Sequence, residues 1–419
     1  MFGIRMVNAL RLGPPLLAGF AMLMAACAPA PATAPTSAPT TAPKPAATTA
    51  PAAASTTAPP TVAPTTAPAS AKPTTAPAAP APTSAPTALP AGTSPEALTA
   101  NKPVDTAAFK KNPPWKLAIS AGYLSNSWVV FAQQYAKYEA SIHPEFAKDI
   151  VVTDANFNAT KQVADIEDLL NRGVDAIVYW PVDDKAIEPV LEKAIAKGIP
   201  TVNVGGGYLD APGVVSNAYI DQYLLGEAVA KRMAEVLNGK GQIISMLPIA
   251  GTTAAVDQDK ALKDVLKNYP DIKLLDTQNG DWNRAKAKSI TENLLQKYQK
   301  IEGVFSPAGQ MSIGMAEAFE EAGRLQGVKF SPGDEYNGWL KYIAKHPDIN
   351  TGIVTFPPSA GRTGVQQMVK ILMGQPVTKG IQVPSVFIKL EDVAKAAEMD
   401  RPDDWWSSAD LPEEFKPKS

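Results

Sequence analysis

The chain has almost no cysteine and almost no histidine. Among its 419 residues Cys27 is the single cysteine, and His143 and His346 are the only histidines. One thiol forms no intramolecular disulfide and builds no thiolate metal cluster. Two imidazoles, each followed by a proline (Pro144, Pro347), read as turn residues and not as a metal site or a catalytic base. An excess of one charge is missing as well. The 39 Lys and Arg stand against 41 Asp and Glu, so the sequence carries neither the basic footprint of nucleic-acid binding nor a polybasic patch for a membrane surface. The triplet Gly205-Gly206-Gly207 has no dinucleotide or phosphate-loop pattern around it and suits a flexible connection better. Without a His base, a motif-bound lysine or that fingerprint, a cofactor-dependent or hydrolytic enzyme is disfavoured, and no cofactor or metal is expected.

A second absence divides the chain. From Ala28 to Pro103 there is no aromatic residue and one acid, Glu96, among 19 prolines. Such a stretch cannot bury a core. Proline fixes φ and biases its neighbours toward polyproline II, so the Ala/Pro/Thr tract is expected to be a disordered, semi-rigid stalk. Fully extended, at ~3.1 Å per residue, it would reach on the order of 200 Å.

Before the stalk, Arg5 and Arg11 precede a short apolar run, Leu16 to Leu23. That run is too short to span a bilayer, which takes about 20 apolar residues, and reads as a secretion signal. The segment Leu23-Met24-Ala25-Ala26-Cys27 resembles a bacterial lipobox, whose cysteine becomes the lipidated first residue of the mature protein. The expected order is a signal peptide over 1–26, a lipidated Cys27 and stalk over 27–111, and a folded body from 112. Its expected location is outside the cytoplasm, anchored by lipid to the bacterial cell membrane. A secretion signal also removes a DNA-binding regulator from consideration.

The body alternates strand and helix patterns. Leu117 to Ser120 reads as a strand and Trp128 to Ala140 as a helix. Val163, Ile166, Leu169 and Leu170 share one helical face before the buried strand Val174 to Trp180, and Ile187, Val190, Leu191, Ala194 and Ile195 repeat the unit before Pro200 to Val204. A second series runs through Leu224–Leu237, Gln242–Leu247, Val256–Asn268, Ile272–Asp276, Asn283–Tyr298, Gly303–Ser306 and Ser312–Ala322. Continuous apolar strands between amphipathic helices require parallel sheets covered on both faces. So many units make an α/β protein of two doubly wound, Rossmann-like lobes, with ligands at the carboxyl ends of the strands.

Three segments carry a resemblance: Pro248-Ile249-Ala250-Gly251-Thr252-Thr253-Ala254-Ala255 after a strand, Gly280-Asp281-Trp282-Asn283-Arg284, and Gly173-Val174-Asp175-Ala176-Ile177-Val178 leading to Pro181. Together they resemble the type I periplasmic solute-binding proteins, in particular the ribose-binding, simple-sugar branch, from Lys116 to about Ala397. The resemblance implies two lobes joined by three crossovers, near Gly205–Ser216, Thr355–Pro357 and Val383–Ser385. Lobe one would comprise 112–216 with 357–383, lobe two 217–356 with 384–400, and 401–419 would be a C-terminal tail. A monomer is implied that closes over a small, sugar-like solute and hands it to an ABC transporter permease. A sensing module for a membrane receptor or kinase shares every one of these features.

Carried over residue by residue, the family's binding positions fall on Asn126, Trp128, Trp282 and Asp334, which match its pattern. Others fall on departures: Gly205 with Gly206 where an Asp-Arg pair grips sugar hydroxyls, Gln258 for an arginine, Ala308 for an asparagine, Phe356 for a glutamine and Trp180 for an asparagine. Free sugars are held by charge-assisted hydrogen bonds, with aromatic faces against C–H surfaces. Here charged donors are lost and rings are gained, so a more apolar, aromatic or cationic ligand stands beside the plain monosaccharide. Trp128 and Trp282 are expected to clamp opposite faces of the ligand.

Overall fold

The computed structural model describes residues 87–88, 99–349 and 352–417. The signal segment, Cys27 and most of the stalk lie outside the described residues.

Two parallel sheets organise the body. The first has six strands, in the order Gly380–Gln382, Ser216–Tyr219, Thr201–Gly205, Ala176–Trp180, Leu117–Ala121 and Val151–Asp154, with every neighbour parallel. Its central strands Leu117–Ala121, Ala176–Trp180 and Thr201–Gly205 are buried at every position, as mostly apolar strands are when helices cover both faces. The second sheet has four parallel strands, Lys329–Phe330, Gly303–Phe305, Lys240–Leu247 and Asp271–Asn279. An antiparallel pair, Gly352–Val354 with Val386–Lys389, extends the second lobe. The α/β alternation is therefore as the sequence indicates.

Three sequence expectations need correction. The sequence reading puts the first crossover near Gly205–Ser216 and gives residues 217 onward to the second lobe, yet Ser216–Tyr219 pairs in register with Val202–Gly205 of the first sheet. The first crossover therefore begins after Tyr219. The physical reason is polar: Asn203 Nδ2 donates to Asn217 Oδ1 at 2.9 Å, and Leu209 N donates to the same oxygen at 2.9 Å, which closes residues 206–215 as a loop within one lobe.

The sequence reads as a disordered stalk to residue 111, but the last part of that segment belongs to the body. Pro103–Val104 pairs antiparallel with Val377–Thr378, Ala100 packs with Tyr208 and Tyr219, and Thr106 Oγ1 donates to the Gln375 carbonyl at 2.5 Å. Lys111 Nζ reaches Asp175 at 3.0 Å. Even Thr87–Ala88 forms a short antiparallel pairing with Val386–Phe387. At about 1 kcal/mol net per buried hydrogen bond, a chain beginning at residue 112 is expected to unfold about 2 kcal/mol more easily than one beginning at 99. Parallel urea denaturation of the two proteins measures it, and equal stabilities would show that residues 99–111 add nothing.

The third correction concerns the tail. Asn337 Nδ2 donates to the carbonyls of Glu398, Arg401 and Pro402 at 2.8 to 3.3 Å, and Arg284 pairs with Asp403 at 3.2 Å, holding the start of the segment on the second lobe. Further on, Trp405 packs edge-on against Phe131, Asp410 accepts from Tyr135 Oη at 2.6 Å and pairs with Arg362, and Phe415 meets Tyr138, all on the first lobe. Residues 398–415 are a strap across both lobes.

Candidate ligand-binding site

The strand ends converge on one cavity of about 60 Å3. From the first lobe come Tyr123 after Leu117–Ala121, Trp180 at the end of Ala176–Trp180 and Gly206 after Thr201–Gly205. From the second come Thr252, Trp282, Ala308 and Asp334, each just past a strand of the second sheet. Doubly wound sheets place their ligands in this position, because side chains beyond the carboxyl ends are freed from the ladder.

Local rules set the side chains around it. Asn126 caps helix Ser127–Ile142, its Oδ1 accepting from Trp128 N at 2.9 Å. Trp282 sits in a turn whose backbone is left-handed at both Asp281 (φ 55°) and Trp282 (φ 50°), closed by Asn283 N donating to the Gly280 carbonyl and by Asn283 capping the next helix. The first lobe repeats this turn at Asn156-Phe157-Asn158, again with two left-handed residues and an Asn cap. Left-handed backbone in bulky residues is costly and persists where the surroundings hold it. Tyr123 joins the two turns, stacked on Phe157 at 4.2 Å and 6.3 Å from Trp282.

Helix Gly309–Glu321 begins after Ala308, which has no capping side chain. Asp334 supplies the cap from the next strand end: its Oδ1 accepts from Gly309 N at 2.9 Å and Tyr336 N at 3.2 Å. Burial pushes this carboxyl up to about 8, with the charge of Glu335 adding to the effect. Burial likewise raises Glu335 to about 7. Glu335 accepts from Phe356 N at 2.6 Å and from Ser408 Oγ at 2.8 Å, so one carboxyl ties the second crossover to the strap.

Contacts also cross between lobes. Asp184, the first residue of helix Asp184–Ala196, accepts from Thr253 Oγ1 at 2.5 Å and Thr253 N at 3.3 Å. Burial raises its carboxyl, and the two Thr253 bonds partly offset that rise. Gln310 lies 3.5 Å from both Asn126 and Ser127. With these contacts in place the cavity is compact, and the lobes stand closed on each other.

Eight of the ten positions named from the sequence line this cavity: Asn126, Trp128, Trp180, Gly206, Trp282, Ala308, Asp334 and Phe356. Gly205 and Gln258 do not. Gly205 has φ +85°, and a Cβ there would stand 2.0 Å from the Trp128 ring, so this glycine makes room for the indole while Gly206 reaches the wall. Gln258 is buried between helices, where its Nε2 donates to Gln222 Oε1 at 2.9 Å. Trp128 is itself 7% exposed, and its Nε1 donates to the Phe356 carbonyl at 2.7 Å. Sequence reasoning missed Tyr123, Asp184, Gln310 and Trp406. The first two follow strands directly and could have been found by that rule. Trp406 could not, because it reaches the wall only when the strap folds back, where its Nε1 donates to Ser127 Oγ at 3.0 Å.

Among the described residues no group of three or more His, Cys, Asp or Glu is placed to hold a metal, and no helix is long and apolar enough to cross a membrane. The family model of the periplasmic binding protein domain matches residues 117–376. This chain belongs to the periplasmic binding proteins. It is a binding protein and not an enzyme. It is 30% identical over 225 residues to a xylitol-binding protein of Mycolicibacterium smegmatis, a match covering 53% of this chain and 64% of that protein, slightly under two thirds of its length. It is 26% identical over 275 residues to the ribose import binding protein of Bacillus subtilis, covering 66% and 86%. Among solved structures, an ABC transporter solute-binding protein of Bacillus halodurans with bound myo-inositol superposes with a TM-score of 0.63 at 21% identity, over 68% of this chain and 98% of that one. That likeness establishes the type I fold. The strap that brings Trp406 to this binding protein's cavity lies beyond the matched residues.

Proposed function

We propose that this periplasmic binding protein is the solute-capturing component of an ABC importer, held outside the cytoplasm by a lipid on Cys27 and raised from the membrane by its Pro-rich stalk. Its solute is a small sugar-like polyol. One observation carries the reading: a compact cavity at the carboxyl ends of two parallel sheets, walled by indole faces and by amide and carboxyl groups from both lobes. Hydroxyl groups pair with Asn126, Gln310 and Asp334, while the C–H faces of a polyol lie against Trp128, Trp180, Trp282 and Phe356. Relatives named for xylitol and ribose support that class of ligand. Contacts made only when both lobes meet, such as Asp184 with Thr253, bias the crossovers toward the closed state once a ligand fills the space.

Two measurements test this. Titration of pentoses, pentitols and inositols, followed by melting temperature and small-angle scattering, should give at least one ligand that raises the melting point by mass action and leaves the protein compact. Melting points unmoved by every polyol would reject the solute class. In a bacterial host, Cys27→Ala should move the full chain from the membrane fraction to the soluble one, since acyl chains supply the anchoring. Unchanged membrane retention would reject the lipid anchor.

A further inference from the structure

Six aromatic rings line the cavity, from Tyr123, Trp128, Trp180, Trp282, Phe356 and Trp406, and so do two carboxyls, Asp184 and Asp334, but no Lys, Arg or His. Among the described residues Asp334 has no ion-pair partner: its hydrogen bonds come from the backbone N–H groups of Gly309 and Tyr336. Raised to about 8 by burial, this carboxyl holds a proton at neutral pH, and a cation brought in by the ligand would displace that proton to solvent and leave a buried ion pair. Aromatic faces attract the same cation. An anionic ligand meets the opposite situation. In each of four surrounding helices one first-turn N–H is already taken, by Asn126, Thr252, Asn283 or Asp334, and with no Lys, Arg or His in its lining the cavity offers little to a phosphate.

A second observation points to hydroxyls. Trp180 is 3% exposed, lines the cavity and has an indole N–H with no acceptor. An unpaired buried donor calls for an acceptor oxygen, and the amide residues Asn126 and Gln310 line the same cavity.

We propose that the ligand is an aminated polyol or amino sugar, whose ammonium group sits on the Asp334 carboxylate inside the aromatic ring of the cavity while its hydroxyls meet Trp180, Asn126 and Gln310. This rests on the reading of the cavity as a sugar-type solute site and narrows it to one chemical class.

The test compares matched pairs by calorimetry on the intact body: 1-amino-1-deoxyxylitol against xylitol, and glucosamine against glucose. In at least one pair the amine should bind ten times or more tighter than its hydroxyl twin. Asp334→Asn keeps an acceptor oxygen for the helix cap and removes the charge, so it should cut the affinity of the amine ten times or more further than that of its neutral twin and so abolish the preference. Trp180→Phe should weaken amine and neutral twin by the same factor, because it removes only the N–H. Neutral twins binding as tightly as the amines, or a preference that survives in Asp334→Asn, would overturn the proposal and leave the polyol site standing. Failure of all four ligands would overturn both.

Discussion

Trp282→Ala is expected to weaken ligand binding by about 2 to 4 kcal/mol, as for other buried aromatic anchors, with little loss of fold stability. Its ring is only half-buried and sits on a turn at the rim of the second sheet. Trp128→Ala is expected to do two things at once. Its ring is almost completely buried, its indole N–H holds the Phe356 carbonyl at the second crossover, and Gly205 is shaped around it. Truncation leaves a cavity and an orphaned carbonyl, at a cost of about 3 to 5 kcal/mol in folding as for other aromatic-to-alanine changes. The sequence suggests two equivalent clamps; in the structure Trp128 is also a core residue that ties a lobe to a crossover. Denaturant unfolding beside calorimetry separates the two effects. A pair of variants that bind as tightly as the parent would show that neither ring touches the ligand.

The second large effect is expected from removing the strap after Ala397. That deletion strips Trp405, Trp406 and Leu411 out of the core, leaves Asn337 and Arg284 without their partners on the segment, and frees Glu335 from Ser408. Loss of two buried indoles alone costs on the order of 5 kcal/mol. At roughly 2 °C per kcal/mol for a body of this size, the melting temperature should fall by about 10 °C or more. Trp406→Phe gives the contrast: it keeps an apolar ring and loses the bond to Ser127, so it should cost about 1 kcal/mol. Scanning calorimetry of the shortened protein decides the matter, and an unchanged melting temperature would mean that the strap rests on the lobes without stabilising them. Because the strap is anchored on both lobes, its loss is also expected to reduce ligand affinity.

Local chemistry written in the sequence accounts for much of this protein. The mostly apolar strands around Ile119, Val178 and Val202, and the helical spacing of Ile187, Val190, Leu191 and Ala194, define βαβ units without any long-range information, since the period of burial is a property of the strand and the helix themselves. Asn126, Asp183, Thr252 and Asn283 mark helix starts because a short polar side chain at that position captures a free backbone N–H. Strand ends then point to Trp180, Trp282 and Asp334. Tertiary structure decided the rest. Gln258 and Trp128 look alike from the sequence as candidate ligand contacts, yet one is buried between helices and the other spans core and cavity, because only the packed lobes fix which face a side chain turns. Ser216–Tyr219 joins the first sheet through the Asn203–Asn217 pair, whose members are 14 residues apart. Trp406 reaches the cavity wall through bonds between residues some 60 to 280 positions apart in the chain. No periodicity encodes such contacts; they exist only once two lobes present complementary surfaces to the same segment.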